Sequence, residues 1–131
     1  MPEAVEYAEF QVLGEPQVRA GGRVLAAPRT KQRTLLAMLA LRANQVVPMA
    51  QIIEALWQHR PPVDPRNQVQ VYVSVLRRLL ADGGVPGELI ETHEAGYLLR
   101  ATGGVTVDAA RFVPALAHRG DDDLRGGDDD D

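Results

Sequence analysis

The sequence predicts an α+β fold, and three features carry that prediction. A long amphipathic helix is written into residues 67–80, short strands bounded by glycine and proline crowd the first 25 residues, and a second pair of short strands around a tight turn follows the helix. In the long segment Val69, Tyr72, Val73, Leu76, Leu79 and Leu80 recur at three- and four-residue steps, the period of one buried helix face. The other side carries Asn67, Gln70, Ser74, Arg77 and Arg78 and no carboxylate.

The remaining elements follow in chain order. Residues 8–14 read as a strand, ended by the turn Gly14-Glu15-Pro16. Gln17–Arg19 and Arg23–Leu25 flank Ala20-Gly21-Gly22, whose glycines suit a hairpin, so a small antiparallel sheet of three strands is expected. Thr30 is placed to cap a helix over residues 31–43, which puts Leu35, Leu36, Leu39 and Ala40 on a wide apolar face. Asn44-Gln45 ends it, and Val46-Val47 is long enough only for a bridging strand. Residues 49–58 form a second helix burying Ile52, Ile53, Leu56 and Trp57. Three prolines make residues 59–65 a loop, and Asp82-Gly83-Gly84 stops the long helix that follows. Residues 88–92 and 96–101 are strands around His93-Glu94-Ala95. Residues 107–119 read as helical with an interruption at Pro114, and residues 120–131 as a disordered acidic tail.

Composition removes several classes of function. The absence of cysteine excludes disulfides, thiolate metal sites and cysteine nucleophiles. His59, His93 and His118 lack metal-ligand spacing, Ser74 is the single serine and has no base beside it, and no phosphate-binding glycine loop occurs. An enzyme, a metal site and a cofactor are therefore not expected. The N-terminus is acidic without an apolar stretch behind it, and no apolar run approaches the ~20 residues that span a bilayer. A cytoplasmic protein without a membrane partner is the expectation.

The formal charge of −4 hides an uneven distribution. Residues 121–131 hold seven Asp and one Arg, a net of −6, which leaves +2 for residues 1–120. From Arg29 to Arg78 eight basic residues face only Glu54 and Asp64, a net of +6. For binding a polyanion the local field outweighs the total. A basic middle segment with an amide-, hydroxyl- and guanidinium-bearing helix face suits a DNA major groove, which admits one helix and displays donors and acceptors to those groups.

Three helices, with a short strand after the first and a hairpin after the third, describe a winged helix-turn-helix in which the second and third helices bind DNA and the hairpin is the wing. A leading sheet narrows this to the OmpR/PhoB type. KQRTLLAMLALRANQVV, IIEALW, NQVQVYVSVLRRLL and ETHEAGYLLR, in that order, resemble the DNA-binding domain of the SARP family, actinobacterial activators of antibiotic-biosynthesis genes, and of related mycobacterial-type regulators. The resemblance spans about residues 8–101. It implies a winged-helix domain over residues 1–104, with residues 105–119 as a vestigial first helix of an activation domain otherwise missing, opening on Val107-Asp108-Ala109-Ala110-Arg111-Phe112. It further implies binding to direct repeats as a side-by-side dimer, contact with RNA polymerase, and association with the nucleoid.

Arg77 and Arg78 are the leading DNA-contact residues, with Asn67, Gln70 and Ser74 as the base-reading set and Arg66, Tyr72 and His93 as further contacts. Tyr72 is equally suited to the core. Arg29, Lys31 and Arg33 oppose the dipole at the start of the first helix, which suits either phosphate contact or a solvated end. His59, Arg60 and Asp64 are the exposed charges of the loop that faces polymerase in this fold type. The chain departs from relatives, which usually read S-R-L-R-R where this one has Ser74-Val75-Leu76-Arg77-Arg78, and commonly carry Arg where the wing here has His93-Glu94. The competing readings are a winged-helix protein-interaction module and a decoy regulator without its effector domain.

Overall fold

The computed structural model describes residues 7–108. Its elements are β1 (Ala8–Gln11), β2 (Gln17–Ala20), β3 (Arg23–Leu25), α1 (Thr30–Leu41), β4 (Val47–Pro48), α2 (Met49–Trp57), α3 (Pro65–Asp82), a 3-10 turn (Gly87–Leu89), β5 (Ile90–Thr92), β6 (Gly96–Leu99) and β7 (Val105–Val107). Two sheets flank the helices, one ordered β3-β2-β1-β7 and the other β4-β6-β5. The expected α+β winged helix-turn-helix is present, with its leading sheet, three helices and hairpin. No helix among the described residues is long and apolar enough to cross a membrane.

Local chemistry accounts for most boundaries. The β2–β3 hairpin turns at Gly21 and Gly22, both at positive φ (58° and 78°), the two-glycine turn whose twist matches the flanking strands. Thr30 does not cap α1: it is the first helical residue, and Arg29 occupies the cap position, its amide donating to the Oε1 of buried Gln32 (3.3 Å). α3 begins with Pro65 at its first position, and the Asp64 carboxylate accepts from the Asn67 amide (3.2 Å), two independent helix-start devices. α2 lacks a side-chain cap, and the Met49 amide donates instead to the Ala95 carbonyl in the hairpin turn (2.8 Å). The wing thereby satisfies one of the orphan donors of the neighbouring helix.

The core is continuous from the first sheet to the wing. Phe10 and Val18 pack beneath α1, and Leu35, Leu36, Leu39, Ile52, Val69, Val73, Leu76 and Leu80 fill the space between the helices. Each such Val or Leu contributes roughly 1.5–3 kcal/mol by leaving water. Asn44 ends the α1 region at positive φ (69°); its side chain donates to the Ala101 carbonyl (3.1 Å) and accepts from the Ala101 amide (2.9 Å). That exchange fixes the C-terminal end of β6 to the loop after α1.

Residues 105–107 differ from expectation. Val105–Val107 form a strand, not part of a helix, and pair in parallel with β1, Ala8 opposite Val105 and Phe10 opposite Val107. The leading sheet is therefore four-stranded and mixed. Asp108 is buried, and its carboxylate accepts from the amides of Val12 (2.9 Å) and Leu13 (3.3 Å) just beyond β1. Val107 and Asp108 thus anchor the segment after the wing onto β1 and the residues just beyond it. The rest of the expected segment 105–119 and the acidic tail 120–131 lie outside the described residues.

A close backbone approach pairs β4 with β6. A Cβ built on buried Gly96 runs into the Val47 carbonyl oxygen and crowds the Met49 amide (3.0 Å). Only glycine admits this approach, which also aligns Ala95 to cap α2. Gly96→Ala is expected to destabilise the domain by about 2 kcal/mol or more, measured by urea unfolding. A midpoint within error of the parent would show that β4 and β6 can separate freely.

Candidate nucleic-acid interface

α3 owes its orientation to one face. Val69, Val73, Leu76 and Leu80 are buried, while Asn67, Gln70, Val71, Ser74 and Arg78 are exposed on the opposite side. Asn67, Val71, Ser74 and Arg78 follow at steps of four, three and four, which stack along a single line of an α-helix. The structure therefore places the expected base-reading set, Asn67, Gln70 and Ser74, together on one outward face with Arg78. Arg66 is exposed in the first turn of the same helix. Arg66 and Arg78 make no ion pair or hydrogen bond with other described residues.

Arg77 is held differently. Its Nε and Nη2 donate to the Ile90 carbonyl (3.0 and 2.6 Å), and Nη2 also donates to the Thr92 hydroxyl (2.8 Å). The guanidinium bridges α3 to β5 and is half-buried. Of the two arginines expected to contact DNA, one is spent on the wing and one is free. Gly87 lies close enough that a Cβ there would meet the Arg77 carbonyl oxygen at 2.8 Å, so the wing is seated tightly against the C-terminal half of α3.

The wing carries its charges in a closed cluster. Arg100 donates to the Glu91 carboxylate in two-pronged fashion, Nε to Oε2 (2.9 Å) and Nη2 to Oε1 (3.0 Å), and the His93 ring nitrogen lies 2.9 Å from Oε1. The hydrogen bonds from Arg100, then from His93, hold the Glu91 carboxyl at about 2, well below the ordinary carboxylate value, and the same carboxylate raises the pKa of Arg100. At neutral pH Glu91 is ionised, and it offsets the charge of Arg100 on the same face of the hairpin. His93, the expected wing contact, thus stands on an acidic partner.

Tyr72 turns toward the core side. It is half-buried and stacks on Trp57 of α2, ring centroids 6.1 Å apart and planes 23° from parallel. The pair locks the angle between α2 and α3 and accounts for both residues by packing. In the proline-rich loop His59, Arg60 and Val63 are exposed, whereas Asp64 has the structural task of capping α3. Among the cations at the start of α1, Arg33 donates to the Ala27 carbonyl (2.7 Å) and the Thr30 hydroxyl (3.3 Å) and lies 3.9 Å from Glu15, while Arg29 remains exposed.

Three features escaped the sequence reading. Glu91 and Arg100 were recoverable: β5 and β6 pair Glu91 with Leu98, so Arg100, two residues on, is the diagonal neighbour on the same face. His93 shares that face by the same period of two. The seat of Arg77 was not recoverable, because helical periodicity says nothing about which loop passes beside a given residue. Val71 falls on the exposed line although valine suggests burial.

Among the described residues no group of His, Asp and Glu could hold a metal ion. The geometry offers instead a protruding helix face of amides, a hydroxyl and free guanidinium groups, with a hairpin beside it.

Comparison with known proteins bears on this arrangement. Residues 25–99 match the family described as Transcriptional regulatory protein, C terminal. Transcriptional regulatory protein MoaR1 of Mycobacterium tuberculosis is 39% identical over 108 residues, covering 82% of this chain and 35% of MoaR1. Regulatory protein AfsR of Streptomyces coelicolor is 35% identical over 102 residues, covering 78% of this chain and 10% of AfsR. The solved structure of Mycobacterium tuberculosis EmbR in complex with a low affinity phosphopeptide superposes with a TM-score of 0.75 at 34% identity, over 82% of this chain and 28% of that one. The chain spans about a third of the length of MoaR1 and less of the other two. With its helix order, wing and leading sheet, it belongs to the family of transcriptional regulatory protein C-terminal domains, the OmpR/PhoB-type winged helix, as carried by the SARP-family regulators.

Proposed function

We propose that this domain binds duplex DNA sequence-specifically by laying α3 in the major groove, and that it serves transcription activation of secondary-metabolite genes such as those for antibiotics. The observation that carries the reading is the outward line of Asn67, Ser74 and Arg78 with Gln70 beside it, uninterrupted by any carboxylate. Asn67 and Gln70 suit adenine edges, Ser74 either partner of a base pair, and Arg66 and Arg78 phosphate or guanine. In this reading Arg77 is a positioning residue that sets the wing against α3, and His93 makes at most a light backbone contact. The loop carrying His59 and Arg60 is the surface offered to RNA polymerase, and the protein works at the nucleoid in the cytoplasm.

The wing cluster limits the affinity of one copy. With Arg77 and Arg100 engaged internally, the wing side of α3 has fewer cations with which to neutralise phosphates and release their counterions. Two copies side by side on direct repeats regain affinity by adding contacts and packing.

Two arginine variants separate the roles at neighbouring positions. Arg78→Ala is expected to weaken binding to a selected duplex by roughly 1–3 kcal/mol and, where its contact is to phosphate, to reduce the salt slope by about one, with an unchanged melting temperature. Arg77→Ala is expected to lower stability by about 1–3 kcal/mol, because a charged donor leaves the carbonyl of buried Ile90 unpaired. Salt-dependent fluorescence anisotropy and thermal melts check both; an Arg78→Ala protein that binds like the parent would sink the α3 reading.

Removing the wing carboxylate is expected to act in the opposite sense. Glu91→Gln releases Arg100 and His93, so binding to specific and non-specific duplexes should tighten together, most at low salt. The contribution of the Glu91–Arg100 pair to stability should be full above the ordinary carboxylate value of 4.5 and be lost progressively as pH falls through about 2. Tighter binding to one class of duplex alone would contradict the charge-offset account.

Spacing provides a further check. Half-sites set about 10–11 bp apart, one helical turn, should bind cooperatively, and inserting about five more base pairs should abolish cooperativity by turning one copy to the far side of the helix. Gel-shift titration of both duplexes, with tight binding to one isolated half-site as the contrary result, decides it.

A further inference from the structure

We propose that the aspartate-rich segment 121–131 docks on the outward face of α3 and competes there with duplex DNA; the competition, though not the docking, rests on the proposed seating of α3 in the major groove. From Arg60 to Ala81 four arginines meet a single carboxylate, Asp64, and that one is occupied at the helix start by the Asn67 amide. Arg66 and Arg78 form no ion pair or hydrogen bond among the described residues, and Asn67, Gln70 and Ser74 lie exposed between them. On the leading sheet, by contrast, Arg19 stands opposite Glu9, and nearby Arg33 lies 3.9 Å from Glu15. The α3 face is thus a row of donors without an anion. Such donors take a carboxylate as well as a phosphate, in short charge-assisted contacts.

Charge, spacing and reach all suit this occupant. Its seven Asp and one Arg sum to −6 and fall in two clusters, Asp121–Asp123 and Asp128–Asp131, with Leu124-Arg125-Gly126-Gly127 between them. Arg66 and Arg78 are twelve positions apart, about 18 Å along the helix axis, and the five steps from Asp123 to Asp128 span about 17 Å of extended chain. One cluster can therefore sit on each arginine. Residues 109–120 separate the segment from Asp108, which is held by the amides of Val12 and Leu13. Extended, that tether spans about 40 Å, against a radius of gyration near ~13 Å for a domain of this size, so every face lies within reach. It also holds the aspartates at an effective concentration on the order of millimolar, enough for weak contacts to compete. Repeated aspartate carries no base-specific information, so occupancy lowers affinity for every duplex and leaves base preference unchanged.

The test uses the full 131-residue chain, whose lack of cysteine lets Asp131→Cys carry a single spin label. Without DNA, paramagnetic broadening should gather on the amides of residues 66–78 at low salt and spare β2 and β3. It should fade at about 0.5 M salt, where the Debye length is roughly 4 Å. Replacing the other six aspartates of the segment by asparagine should abolish it. In the unlabelled chain, asparagine at all seven positions should tighten binding to a selected duplex and to a random one by the same factor, about tenfold at low salt and less as salt rises. These substitutions leave the contacts of residues 7–108 in place, and an unchanged amide spectrum shows the fold intact. Broadening spread evenly, or centred on the leading sheet, overturns the docking whatever the DNA result. Broadening on α3 with no change in duplex affinity overturns the competition. Broadening on α3 in a chain that binds no duplex in either form leaves the docking standing and sinks the groove reading.

Discussion

The one-sided burial of α3 is the constraint on which the rest of the domain depends. Val69, Val73, Leu76 and Leu80 enter a core shared by α1, α2 and the wing, and no rotation of the helix keeps them there while hiding Asn67, Ser74 and Arg78. Once the apolar line is fixed, the polar line has to face outward. The other elements refine that orientation. Asp64 and Pro65 set where the helix starts, the Trp57–Tyr72 stack sets its angle to α2, and Arg77 sets its distance from the wing.

The wing is unusual in how it uses charge. A hairpin beside an exposed helix face is well placed to hold phosphates, yet here Arg100 and the His93 ring answer to Glu91 within the wing, and Arg77 of α3 answers to a backbone carbonyl and a hydroxyl of β5. A two-pronged arginine–carboxylate contact is among the stronger and more directional of polar interactions, so the cluster orders the outer face of a very short hairpin whose inner face, Ile90, Tyr97 and Leu99, belongs to the core. The same cluster lowers the field available to a polyanion. Rigidity of the wing and attraction for DNA therefore draw on the same side chains.

Long-range backbone contacts make the leading sheet part of the domain. β7 closes the sheet against β1, and the Asp108 carboxylate takes up two amides that β1 leaves unpaired at its end. A buried carboxylate is costly unless hydrogen-bonded, and here two backbone amides supply the donors. At the opposite side, Gly96 lets β6 approach β4 and brings Ala95 over the start of α2. Sheet, helices and wing are thus tied at both ends of the chain segment.

The sequence by itself determined what depends on near neighbours along the chain. Periods of three and four set the three helices and the buried residues of α3, paired glycines set the β2–β3 turn, prolines set the loop before α3, and four motifs in register pointed to the family. It also placed Asn67, Gln70, Ser74 and Arg78 on one face, because a helix geometry is enough to do so. Only the tertiary structure decided what depends on partners distant in sequence. Residues 105–107 carry a strand-compatible Val-Thr-Val, but whether they extend a helix or close a sheet rests on β1, almost a hundred positions earlier. Arg77 and Arg78 are chemically identical and adjacent, and their different fates follow from a 100° step around the helix that points one at β5 and the other at solvent. Val71 and Val73 likewise differ only in the direction they face. Residue type sets what a side chain can do; the packing of distant segments sets whether it is free to do it.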